Sequence, residues 1–208
     1  MYRLLDKLLA TELRRIRSSF NHLSVMGFDQ LNVVNTRKTT QKMYDSFLKD
    51  NEGIYLKAAR DAYKKATSGE KDTKTEINGE WLAGVLAGYN LVSGYLYNKE
   101  ADRKRLRLNE QILTAREYGN REMFRDSLRR SANLWWTQTV QYGISAVDEA
   151  TIKGFKDIGI KRVRWATADH EKTCSVCGAR DNTIYHINKI PPKPHYGCRC
   201  YLVPVKEE

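Results

Sequence analysis

The chain has 208 residues, 41% hydrophobic and 29% charged, enough for a sizeable core and too apolar for a disordered polypeptide. Its 36 Lys and Arg against 25 Asp and Glu leave a formal charge of +11, so an acidic partner is expected: nucleic acid, a membrane surface or an acidic protein face. The opening stretch MYRLLDKLLATELRRIRSSF is charged throughout and lacks the apolar run of a secretory signal, so the expectation is a cytoplasmic chain with reduced thiols.

Leu5, Leu8, Leu9, Leu13, Ile16 and Phe20 fall at helical spacing with Lys and Arg between them, which predicts an amphipathic surface helix. A second helix is expected from about Thr39 or Thr40, with Met43, Phe47, Tyr55, Ala58, Ala59 and Ala62 as its stripe and Gly53 as a point of interruption. Thr67 to Glu80 is polar, carries two glycines and has no apolar period, so it reads as a loop or hinge. Trp81 to Tyr97 holds no charge, and Gly84 and Gly88 stand four apart, as in membrane helix pairs. Its 17 residues sit at the lower limit for a membrane span, and Asn90, Ser93 and three tyrosines dilute it. A buried helix whose small residues admit a close neighbour is the preferred reading, and no membrane is expected.

The character then reverses. KEADRKRLRLNE and REMFRDSLRR are basic and helical in pattern, anchored by Leu106, Leu113, Met123, Phe124 and Leu128. Such a stripe is either a solvated face or a surface for phosphates or an acidic protein. No aromatic interrupts RKRLR, so base stacking is not supported. From Asn133 to Gly159 a further helix is predicted, with Trp135, Val140, Ile144, Val147 and Ile152 inward and Gly159 as its stop. Asp148 and Glu149 are neighbours in sequence and diverge by about 100° on a helix, so they are no catalytic pair.

Beyond about residue 161 the period becomes two. Val163, Trp165 and Thr167 alternate with Arg162, Arg164 and Ala166, the pattern of a strand with one buried face. TIYHI and CYLVPV read as two more strands, with Asp181-Asn182 a turn before the first of them. The expected fold is therefore mainly α with a small zinc-stabilised β tail, an α+β class. Its parts are N-terminal helices over 1–66, a hinge over 67–80, central helices over 81–160 and a β unit over 161–208.

All four cysteines lie in that tail: Cys174 and Cys177 as C-x-x-C, Cys198 and Cys200 as C-x-C, with His195 just before the second pair. A lone C-x-x-C is shared with redox sites, but those start a helix after a strand and have no distant cysteine pair. Two clusters at this spacing point to structural zinc, which takes four thiolate and imidazole ligands in a tetrahedron. Five candidates compete for four places. The first choice is Cys174, Cys177, His195 and Cys198, and a set with Cys200 replacing one of the last two stands beside it. A closed four-ligand site stabilises and does not catalyse, so no catalytic residue is expected. His22, His170 and His186 read as surface or hydrogen-bonded residues. Asp169-His170, His186, Asn188 and His195 share the residue types of HNH-type nucleases. The prolines of KIPPKPHYG forbid the helix which that fold needs after Asn188.

Trp165, Thr167, Asp169, Cys174, Cys177, His195, Cys198, Arg199, Cys200 and Pro204, in this order and spacing, resemble the C-terminal signature of the phage head morphogenesis family. These are minor head proteins of tailed phages, similar to protein F of phage Mu. LAGYNLVSGYLYNKEADRKRLR resembles members from phages of Gram-positive hosts. Two departures stand out: His195-Tyr196 where the family often has His-Pro, and Asp181-Asn182 where it often has Asp-Gly. Neither removes a proposed ligand. The resemblance implies a non-enzymatic virion component, made in the bacterial cytoplasm and built into the procapsid. Its implied partners are the portal protein, the major capsid or scaffold protein, and packaged DNA met through the basic helices. The competing expectation is a phage-encoded zinc-containing DNA-binding or HNH-like nuclease protein.

Overall fold

The structure is a computed structural model, and it describes residues 2–68, 76–93, 97–168 and 173–205. In chain order the elements are α1 (Arg3–Val25), a 3-10 turn (Phe28–Gln30), α2 (Val33–Ala66), α3 (Gly79–Ser93), α4 (Tyr97–Glu117) and α5 (Arg121–Asp157). The tail adds β1 (Arg162–Ala166), α6 (Ser175–Arg180), β2 (Ile184–His186) and β3 (Tyr201–Val205). The fold is mainly helical with a three-stranded antiparallel sheet near the C-terminus, the class expected from the sequence. Residues 69–75 of the predicted hinge lie outside the described residues.

Two compact units are present, each assembled from separate stretches of chain. One comprises residues 7–53 and 86–139 and is all helical. Its core joins Ile16, Phe20 and Leu23 of α1 to Tyr44 and Phe47 of α2, Leu108 and Ile112 of α4, and Phe124, Leu128 and Trp135 of α5. Tyr44, Phe47 and Trp135 form an aromatic cluster with ring centroids 5.1–5.9 Å apart. The inward stripe of α1 includes Glu12, buried because Arg15 binds both its oxygens at 2.8 Å. On α4 the inward positions are Leu108 and Ile112, whereas Leu106, expected to anchor the helix, is 50% exposed. In that basic stretch both phases offer a leucine, and only packing selects between them.

α2 starts at Val33, earlier than expected. Asn32 and Asn35 cap reciprocally: each side-chain oxygen accepts the other's backbone N–H, at 2.8 and 2.9 Å. Gly53 does not interrupt it. Asn120 caps α5 by accepting the Met123 N–H at 2.9 Å. α5 stops where Gly159 turns to φ +78°, with Ile160 N–H on the Phe155 carbonyl and Gly159 N–H on that of Lys156.

The other unit comprises residues 1–6, 54–85 and 140–208. Here Gly143 of α5 lets Leu5 and Tyr55 approach, and Gly154 lets Ala66 approach. The helix α3 contributes residues to both units, up to Val85 in this one and from Leu86 in the first; Leu82 and Leu86 are buried, and Ala83, Gly84, Ala87 and Gly88 are exposed. The expected close neighbour at the glycines is thus absent among the described residues, because two leucines one turn apart anchor only one edge of the helix. No described helix is long and apolar enough to cross a membrane.

β1 is the central strand of the sheet, in the order β2-β1-β3. It pairs antiparallel with both neighbours: Val163 lies opposite Tyr185 and Pro204, and Trp165 opposite Leu202. Val163 and Trp165 are buried, as the alternation predicts. Pro204, without an N–H, is tolerated because β3 is an edge. Asp181 locks the strand's end, its Oδ1 accepting the Thr167 N–H at 2.8 Å and hydroxyl at 3.0 Å. Asn182, at φ +61°, completes the turn in the left-handed conformation that asparagine tolerates.

Candidate metal centre

Two chain segments converge in front of Trp165. The first is the entry to α6. Cys174 is its N-cap residue, extended at φ −68° and ψ 155°, and its sulfur accepts the Cys177 N–H at 3.4 Å. The C-x-x-C therefore opens a short helix where a loop was expected. One turn of helix carries Cys177 back toward Cys174. The second segment is the turn from His195 to Cys200. Gly197, at φ +71°, reverses the chain so that His195 and Cys198 face the same way. Cys198 and Cys200, two apart just before β3, are both buried.

The cluster contains all five residues singled out from the sequence. Cys174, Cys177 and His195 form one group with ligand atoms within 4.8 Å of one another, and Cys177, Cys198 and Cys200 form a second. Cys177 belongs to both. Its sulfur is 3.3 Å from His195 Nε2 and 3.7 Å from the Cys198 sulfur. The five side chains line one cavity of about 150 Å³. Such a cluster can hold a metal ion. His195 Nδ1 lies 2.9 Å from the Tyr196 carbonyl oxygen, which only accepts, so Nδ1 carries the proton. That leaves the Nε2 lone pair aimed at the cluster, the tautomer a metal needs.

The electrostatics of the bare thiols run against ionisation. Burial raises the Cys177 and Cys198 thiols above the ordinary value, while the Cys177 N–H lowers Cys174. Packed sulfurs that resist becoming thiolates together are what a bound cation reverses, since it stabilises the deprotonated form of every ligand.

The supports of the cluster come from far away in sequence. Arg180 lies over the Trp165 ring at 5.4 Å and donates to the Pro192 carbonyl at 2.7 Å, tying the proline-rich loop to the wall behind the sulfurs. Gln141 of α5 accepts the Gly197 N–H at 3.0 Å. Lys193 donates to the Cys198 and Cys200 carbonyls at 3.2 and 2.5 Å and ion-pairs with Asp148 at 3.0 Å. The Tyr2 hydroxyl donates to Asp148 at 2.5 Å, lies 3.0 Å from the Cys200 carbonyl oxygen and accepts from Lys193. Burial pushes the Asp148 carboxyl above the usual range, opposed by Lys193 and by the Tyr2 hydroxyl. Reading by sequence pattern missed this network. Tyr2 and Asp148 are 146 positions apart, and no local period joins them.

His22 and His186 are exposed and belong to neither metal-ligating group. His186 Nδ1 accepts the Asn188 N–H at 3.3 Å. Asp169 and His170 lie outside the described residues. No family model, curated protein or solved structure matches the chain.

Proposed function

We propose that the chain is a minor head protein of a tailed phage, associated with the portal and acting in procapsid assembly and in DNA packaging and delivery. In this reading the tail binds one structural zinc ion and the protein is not an enzyme. The observation that carries it is the join between motif and geometry. Six of the ten residues of the C-terminal signature build the cluster and its wall: Trp165 behind, Cys174 and Cys177 at the start of α6, His195, Cys198 and Cys200 on the returning turn.

Zinc suits the donor set. Around a tetrahedral zinc ion, two thiolates stand about 3.8 Å apart and a thiolate and an imidazole nitrogen about 3.6 Å. The 3.7 and 3.3 Å separations around Cys177 come close to those values. Five protein donors for four places leave no position for a water or a substrate, which supports a structural role. His195, which a nuclease reading would need elsewhere, is occupied in this cluster.

The test is quantitative mass spectrometry of proheads from cells making the phage, with and without the portal protein. The expected result is a few copies per prohead that vanish when the portal is missing. Absence from proheads in both cases overturns the reading. So does metal-dependent DNA cleavage by the purified protein.

A further inference from the structure

The helical unit holds a second feature, unrelated to the cysteines. A cleft of about 510 Å³ opens between α4 and α5, with Tyr44 of α2 in its lining. Arg103, Lys104 and Arg107 line it from α4, and Arg130 lines it from α5. The α4 residues fall at i, i+1 and i+4, beside the inward stripe of Leu108 and Ile112, so packing that stripe turns them all to the cleft. No carboxylate of the described residues lines the cavity. Two described acids nearby are engaged by other arginines: Asp102 meets Arg105 at 3.3 Å and Asp126 meets Arg129 at 3.1 Å, while Arg103 and Lys104 have interactions of their own. Arg107 and Arg130 are exposed, and neither has an acidic partner among the described residues.

Arg107 and Arg130 bring two exposed guanidinium charges to one concavity, and the walls concentrate their field. A multiply charged anion offsets those charges, and guanidinium forks match phosphate oxygens in pairs. The volume lies in the range of small-molecule sites, about 300–1,000 Å³, so it accepts several phosphate groups together. Tyr44 is only 2% exposed, so its ring offers no face for a base to stack on. We propose that this cleft is a binding site for phosphate oligoanions, recognised through their charge and oxygens and not through any base. The phosphates can come from a free polyphosphate or from a nucleic-acid backbone. The site stands whether or not the chain is a head protein.

The experiment is isothermal titration calorimetry of the full chain at low ionic strength, with inorganic tripolyphosphate and, separately, with a short DNA duplex. Arg107→Ala combined with Arg130→Ala should weaken binding at least about tenfold, as expected for lost charge-assisted hydrogen bonds. Lys7→Ala with Arg17→Ala removes the same charge from exposed positions outside the cleft lining and should leave affinity within about twofold. Urea unfolding of both double variants verifies that the fold is intact. A cleft-dependent response to tripolyphosphate alone identifies a free anion as the source, and one to the duplex alone identifies the backbone. A response to both identifies the shared chemistry. No binding of either probe, or equal losses in the two double variants, overturns the proposal.

Discussion

Cys177→Ala tests the metal centre at its most connected point. Cys177 is the one residue shared by both ligand groups, so its loss leaves Cys174 with His195 on one side and Cys198 with Cys200 on the other. Structural zinc contributes about 10–16 kcal/mol in small peptides, or roughly 2.5–4 kcal/mol for each of four ligands. A whole domain has only about 5–15 kcal/mol of stability. Apart from the cysteines, the tail's buried apolar groups are few: Val163 and Ile187, packed with Phe155 of α5, Trp165, packed with the cysteines, and the small Ala166. Losing the ion should therefore release the tail while the aromatic core around Trp135 persists. Metal content is read by elemental analysis after dialysis, and protection of β1 and β3 by hydrogen exchange. The expectation is one metal per parent chain, under about a tenth of that in Cys177→Ala, and lost protection confined to the tail. Cys174→Ala and Cys200→Ala then separate the ligand sets, because a spare cysteine can be removed with the metal retained. Full metal content and unchanged protection in Cys177→Ala would refute the reasoning.

Other consequences follow from the surrounding packing. Lys193→Met leaves the partly buried Asp148 carboxylate without its ion-pair partner and should cost about 1–3 kcal/mol by chemical denaturation, with much of the loss recovered by adding Asp148→Asn; no recovery would show that the charge is not the cause. The Asp181 carboxyl is held below its ordinary value, chiefly by the Thr167 N–H. Its contribution to stability is present above the unfolded value of about 3.9 and is lost as pH falls through the lower folded value. Carbon-13 NMR titration should find a midpoint below about 3.9, and Asp181→Asn should remove that part of the acid response. Gly154→Ala should destabilise by about 1–3 kcal/mol, because the new methyl would stand 2.7 Å from the Ala66 Cβ. Gly53→Ala, with nothing within 4 Å, should instead stabilise α2 by up to about 1 kcal/mol in urea unfolding. Equal effects at the two glycines would contradict the packing described.

Much was legible in the sequence because it depends on short-range order. The helical spacing of Leu5, Leu9, Ile16 and Phe20 fixes which face of α1 is apolar before any partner is known. Alternation in β1 does the same for Val163 and Trp165. The two cysteine clusters and His195 mark a group that could hold a metal, because ligand chemistry needs those residue types wherever the backbone runs. Tertiary structure decided what local pattern leaves open. Leu106 and Leu108 are equally apolar, and only the neighbouring helices choose Leu108. Glu12 occupies an inward position because Arg15 is within reach of its carboxylate. Cys177 stands at the centre of the cluster because a turn of α6 and a left-handed glycine bring two chain segments together. Tyr2, Asp148 and Lys193 form one network though they lie almost a chain length apart, because contact across a fold depends on where elements pack and not on any period along the chain.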